Sequence, residues 1–486
     1  MIPHYHGHDF LFIHVYFSGS NKSVANSTAT GTESGDSEQD SDSDDPDYTV
    51  VPRGRAGRVH GRGRWGIPRG RGRGRGQPQA RGARARRVAH PAAGQQYQSY
   101  DDPDTGNILP SFLPVCPPGL HLNVPVLRGG MTKAIDFFKL FFTDSLLLQM
   151  CTHTNAYAWE AIVNKPYYGD NNGAWKETNP NEIACLIALL MYCGLVTVSS
   201  FHRYWSTKSL YHGVWARSIM ARDRFKALMG MLHVADPGTE DEADKLRKVS
   251  SLLEVFKDKC KSLYQPFQHV SVDERMVKSK HRSGIRQYIK DKPTKWGIKL
   301  WVLADSSNGY TYDFDVYTGR RNADQEPSEN GLGYDVVMKL ARPLANQGYH
   351  MYFDNFYTSP KLIKDLFHIK IPSCGTAAEN RRAFPEAMKK GKEWARGKNR
   401  GAMRWVRDDN CLALQWKDNR PVTMLSSIHT ANEYGHVQRK EKVANRWQNI
   451  RVQQPKAIDN YNSFMNGEDR SDQIIGKSTA LRKCMR

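Results

Sequence analysis

His350-Met351-Tyr352-Phe353-Asp354-Asn355-Phe356-Tyr357-Thr358-Ser359-Pro360 reads as a short buried strand, a carboxylate, a turn and the start of a helix. Ser359 suits an N-cap, and Pro360 suits the first helical position, where a backbone N–H has no partner to lose. An aspartate at a strand end beside a helix start can hold a metal ion, or it can serve as a turn or capping residue. The stretch alone does not separate these readings. A second carboxylate upstream at Asp273 and a third downstream at Asp469 favour the metal site.

Outward from this stretch, the preceding residues alternate with a period of two. Val270 to Met276, which carries Asp273, Trp296 to Asp305 and Tyr310 to Tyr317 read as three strands. Asn308-Gly309 marks the turn between the last two, because both residues tolerate positive φ. A helix over Leu332 to Ala341 follows, then the Asp354 strand, a helix from Ser359 to about Phe367 and a strand at Ile369 to Cys374. Three meander strands, helix, strand, helix, strand is the succession of an α/β, ribonuclease H-like mixed sheet. Its first and fourth strands are neighbours, so Asp273 and Asp354 should face each other. Asp305, Asp313 and Asp315 lie at or beyond the hairpin and read as turn and edge residues.

Residues 377–452 break the pattern with a basic stretch, Arg381 to Arg404, and strand-like pieces at Met403 to Val406, Leu412 to Trp416 and Val422 to Ser426. They read as an inserted subdomain, after which residues 453–477 complete the core (267–376) and deliver Asp469 and Asp472, three apart on one helical face. Upstream, residues 131–266 show helical spacing, as in Phe137, Phe138, Phe141 and Phe142, and read as a mostly helical domain.

Residues 1–130 read as a disordered tail. It is acidic over 31–47 and carries thirteen Arg and no acid over 53–87; residues 88–129 read as linker. Guanidinium groups in such a tract pair with phosphates and stack on bases, so it suits DNA or RNA; it serves equally as a solvated import or solubility segment. The chain carries +20 overall, and the part outside residues 1–87 is itself basic, which points to a polyanionic partner in the nucleus. The eight cysteines form no Cys-x-x-Cys pair, which argues for a reducing compartment and against a zinc finger. No stretch has the eighteen or so apolar residues of a membrane helix, so no membrane partner is expected.

Carboxylates from a first strand, a fourth strand and a late helix supply hard oxygen ligands for two Mg²⁺ or Mn²⁺ ions, set about 3.5–4 Å apart in such sites. Arg381, Arg382, Lys292 and Lys295 are the candidate DNA contacts.

Longer motifs carry a family resemblance: Ala134-Ile-Asp-Phe-Phe-Lys-Leu-Phe-Phe-Thr-Asp144, Ser271-Val-Asp-Glu274, Lys292-Pro-Thr-Lys-Trp-Gly-Ile-Lys-Leu300, Asp354-Asn-Phe-Tyr-Thr-Ser359 and Asn466-Gly-Glu-Asp-Arg-Ser-Asp-Gln473. Over about residues 131–486 the chain resembles piggyBac-type transposases. The resemblance implies metal-dependent DNA cleavage and transfer at TTAA sites, a homodimer in the full-length form, and catalytic roles for Asp273, Asp354 and Asp469 with Asp472 as companion. A non-catalytic DNA-binding descendant, or a nucleic-acid or chromatin binder acting through the Arg-Gly tract, are the alternatives. Two departures stand out: Gly467-Glu468 where the family has Gly-Val, and Gly375-Thr376-Ala377-Ala378 where it has Gly-Thr-Val-Arg. The resemblance also implies that residues 131–266 are the first half of a helical DNA-binding and dimerisation domain whose second half starts from about residue 478. With the chain ending at Arg486, Phe138, Phe142, Leu186 and Leu190 are expected to lose their cover, weakening DNA binding and dimerisation.

Overall fold

The computed structural model describes residues 99–121, 133–164, 175–196, 198–211, 215–279, 283–290, 292–319, 328–443 and 446–476. The acidic and Arg-Gly tracts lie outside them.

Residues 99–121, expected to be linker, form an extended strap. Asp104 accepts two hydrogen bonds from Arg407, at 2.6 and 2.8 Å, and one from the Ala431 N–H. Asn107 donates to the carbonyls of Asn410 and Ser427, and Phe112 packs edge-on against Tyr349. The strap ends in β1 (Gly119–Leu120). Its composition gives no sign of order because its partners across the fold are more than a hundred residues away.

Helices α1 (Ala134–Phe141), α2 (Asp144–Asn164), α3 (Pro180–Leu195), α4 (Arg222–Met231) and α5 (Ser250–Leu263) precede the sheet. Asn179 caps α3 by accepting from Glu182 N–H, with Pro180 at the first position. The expected apolar exposure is not found. Phe142, Leu186 and Leu190 are buried, and Phe138 stacks on Phe142. Their cover comes from the neighbouring helices and from Val277, Leu300 and Phe314 of the sheet.

The sheet consists of β3 (His269–Lys278), β4 (Arg286–Tyr288), β5 (Trp296–Asp305), β6 (Thr311–Val316), β7 (His350–Phe353), β8 (Ser373–Thr376), β9 (Met403–Asp408), β10 (Cys411–Lys417) and β11 (Pro421–Ser426). Its order is β4-β5-β3-β7-β8-β11-β10-β9, with β6 also paired to β5. This is the expected mixed, ribonuclease H-like arrangement. The strand expected from Ile369 begins only at Ser373, because Lys370 takes a positive φ of 58° after the helix. A short β2 (Tyr264–Gln265) pairs with β1.

The strands of residues 403–426 do not stand apart as a subdomain. β11 pairs antiparallel with β8, so they continue the core sheet. The cause lies in the side chains: Val406, Ala413 and Leu425 join one face of the sheet, and Trp405, Leu414 and Met424 the other. Helices α6 (Leu332–Ala341) and α7 (Pro360–His368) cover the first face. The hairpin β12 (Tyr434–Val443) and β13 (Arg446–Pro455) leads into α8 (Lys456–Phe464) on the second face, followed by α9 (Gly467–Gly476).

At the strand ends opposite the Asp273–Asp354 pair, His350 is buried against His269, and burial pushes its pKa down to about 4. A histidine held neutral in the fold stabilises fully above the unfolded value near 6.5; that stability is lost as pH falls toward 4. Wild type should therefore lose about 2 kcal/mol relative to His350→Gln between pH 7.5 and pH 5. Urea unfolding of both chains at both pH values measures this, and a pH-independent difference between them would refute it.

Candidate active site

Asp273 lies within β3 and Asp354 directly after β7. The parallel register pairs His269 with His350 and continues to Val272 with Phe353, so the next position sets Asp273 beside Asp354. Asp354 is oriented by its turn: its Oδ1 accepts from Phe356 N–H at 2.8 Å, and its carbonyl accepts from Thr358 Oγ1 at 2.6 Å. Ser359 then caps α7 by accepting from Leu362 N–H. The turn reading of Asp354 therefore holds, and the turn orients a carboxylate that lies beside Asp273. Burial pushes the Asp273 carboxyl up to about 7, and Asp354 adds to the push. Asp354 is raised as well, by burial first and then by Glu274.

α9 presses close to β3. A Cβ on Gly467 would come within 2.5 Å of Ser271 Oγ, so only glycine fits. The next residue, Glu468, is 1 % exposed, and its charge is felt by Asp273 and Lys292. Burial and the neighbouring Asp472 carboxylate hold Glu468 well above the glutamate range. Buried Arg275 lies 3.4 Å from Glu468 and donates to Asp472 at 2.5 Å. Glu468 and Asp472, one helical turn apart, thus share the inward face through Arg275. Asp469 is exposed, and its carboxylate contributes to the field at Lys292. The structure brings Asp273, Asp354 and Glu468 into one neighbourhood, ties Asp472 to Arg275, and leaves Asp469 at the rim.

Lys292 reaches into this neighbourhood and donates to the Glu274 carbonyl at 3.0 Å. Burial works against its charge, yet Asp273, Glu274, Glu468 and Asp469 together raise its pKa. Glu274 itself pairs with buried Lys299 at 2.6 Å. Sequence reasoning passed over Glu274, Arg275 and Lys299, although the first ends the Ser-Val-Asp-Glu motif and the last lies in Lys-Trp-Gly-Ile-Lys. Arg381 packs over the Asp354 turn, donating to the carbonyls of Asn355 and Phe356, while Arg382 and Lys295 are exposed.

Among the described residues no three His, Cys, Asp or Glu side chains converge closely enough to hold a metal ion by themselves. The donor set still fits a hard divalent cation. Mg²⁺ is commonly held by one or two carboxylates completed by water and substrate phosphates. The repelling Asp273–Asp354 pair already draws a cation, the Lys292 ammonium, into its field.

A family model described as Transposase IS4 matches residues 133–486. PiggyBac transposable element-derived protein 3 of Homo sapiens is 30% identical over 368 residues, covering 74% of this chain and 60% of that protein. PiggyBac transposable element-derived protein 2 of Homo sapiens is 26% identical over 367 residues, covering 73% and 58%. The chain thus spans about 60% of the length of these curated relatives. Among solved structures, a piggyBac transposase in a synaptic complex with hairpin DNA is similar with a TM-score of 0.59 and 25% identity, over 76% of this chain and 73% of that one. With the sheet order, the motifs and these likenesses in agreement, the chain belongs to the family of piggyBac-type transposases and piggyBac transposable element-derived proteins.

Proposed function

We propose that the chain cleaves and transfers DNA strands at TTAA-type sites in the nucleus, with Asp273, Asp354 and Asp469 as its catalytic carboxylates. The observation that carries this reading is the parallel register of β3 and β7, whose last pair, Val272 with Phe353, sets Asp273 beside Asp354 one residue further on. These two would hold Mg²⁺ or Mn²⁺, with Asp469 completing the set from α9. Such ions, when bound, activate a water or 3′-hydroxyl and stabilise the leaving oxygen. The chain's own residues orient and balance the site. The Asp354 turn fixes one carboxylate, Arg275 holds Asp472 and steadies α9, and Lys292 offsets the negative charge. Arg381, Arg382 and Lys295 supply cations for DNA phosphates around it. The solved relative with hairpin DNA supports DNA as the partner. A homodimer would hold two DNA ends in register, and the Arg-Gly tract would add sequence-indifferent contacts to DNA or RNA.

A second reading, a DNA-binding descendant without catalysis, is favoured by the exposed position of Asp469 and the absence of a three-ligand cluster among the described residues. Excision of a TTAA-flanked cassette separates the two. The proposal expects excision from TTAA flanks and none from scrambled flanks. Binding to the cassette without excision from either would favour the second reading.

A further inference from the structure

The hairpin of β12 and β13 has two chemically different faces. Its register pairs Lys442 with Trp447, Lys440 with Asn449 and Gln438 with Arg451. Because side chains alternate across a strand, these six share one face. The opposite face carries Val437, Ile450 and Val452, which pack on the core, and Arg439, which reaches Asp418 at 3.2 Å. Glu441, the hairpin's one acidic residue, belongs to that opposite face, so the first face is basic without a carboxylate.

Toward the tip the ribbon leaves the core. Residues 440–442 and 446–449 are exposed on both strands, and Trp447 is 70% exposed. A two-stranded ribbon is marginal in water on its own. Here the root is anchored, with Trp416 donating to the Gln453 carbonyl at 2.8 Å and Arg400 and Arg439 sharing Asp418. The outer half instead holds a bare indole out among cations, an arrangement that folding alone does not call for.

We infer that this face is a second DNA-docking surface, a β-ribbon that lies against duplex DNA apart from the carboxylate site. Lys440, Lys442 and Arg451 match phosphates; Gln438 and Asn449 carry the paired donors and acceptors that suit base edges; the Trp447 indole offers a flat apolar surface. A major groove about 12 Å wide admits a two-stranded ribbon. The docking stretch from Gln438 to Lys442, at about 3.3 Å per residue, reaches about 16 Å, roughly half a turn of duplex. The inference rests on DNA being the partner of the core.

The test is a salt series of anisotropy titrations of the full chain on a 30-base-pair duplex and on a single strand of equal length. The triple variant Lys440→Gln, Lys442→Gln, Arg451→Gln should flatten the log K against log salt slope on duplex by about 2.7, at about 0.9 for each phosphate no longer neutralised. Trp447→Ala should weaken duplex binding at unchanged slope, and Glu441→Gln, on the other face, should not weaken it. Duplex binding by wild type with an unchanged slope in the triple variant would overturn the ribbon alone. A weakening confined to the single strand would overturn it too. Failure of wild type to bind duplex at all would remove the DNA reading of the core along with it.

Discussion

Asp354→Asn should lower metal-dependent strand cleavage about a thousandfold or more while leaving the fold intact. Metal stabilisation of a cleavage transition state is worth several kcal/mol, and each 1.36 kcal/mol is a factor of ten in rate. The asparagine oxygen can still accept the Phe356 N–H bond that orients the turn. The substitution also removes a carboxylate that burial first, and then the neighbouring Glu274, holds above its ordinary range. Stability should therefore hold steady or rise slightly as activity falls, the usual signature of residues kept for function. A gel assay of strand cleavage beside a urea titration checks both halves. Parallel loss of activity and stability would mean that Asp354 serves the fold.

The second large effect is expected at Asp104, far from the carboxylates in sequence and purpose. Its side chain is 1 % exposed and meets Arg407, itself 12 % exposed, through two bonds. Burial pushes its carboxyl up, yet the Arg407 and Ala431 bonds outweigh that and hold it below the ordinary range. Asp104→Ala would leave the buried guanidinium relying on the His429 carbonyl, at 2.9 Å. Breaking a buried pair from one side costs about 3–5 kcal/mol. A fall of that size in urea unfolding, with new protease cleavage within residues 99–121, is the expected result. A loss under about 1 kcal/mol would show that the strap is held mainly by its other contacts.

Much of the core could be read because its signals are local and periodic. Trp296–Asp305 and Leu332–Ala341 were expected and found with the same ends, since a long apolar strand buried on both faces and an amphipathic helix each declare their own limits. The pairing of Asp273 with Asp354 follows from strand order, which the succession of elements implied. What escaped depends on distant partners. The strap looks like linker until Arg407, Ser427 and Tyr349 are placed beside it. The strands of 403–426 could be seen as strands, but their pairing onto β8 could not. The outer half of the ribbon is exposed on both strands and carries no apolar alternation. Phe142, Leu186 and Leu190 found cover from helices and strands already in the chain. At the site, the helical spacing of Asp469 and Asp472 was legible, but not the phase of α9. Glycine at position 467, pressed on Ser271, turns Glu468 inward and Asp469 outward.

If the carboxylates of β3, β7 and α9 act together on a divalent cation, the cation's uptake must depend on them jointly. Calorimetric titration of Mn²⁺ into the 486-residue chain, beside the triple variant Asp273→Asn, Asp354→Asn, Asp469→Asn, tests this most directly. Saturable uptake by wild type that is lost in the variant is the predicted result; equal uptake by both chains, or none by wild type with DNA present, would contradict it.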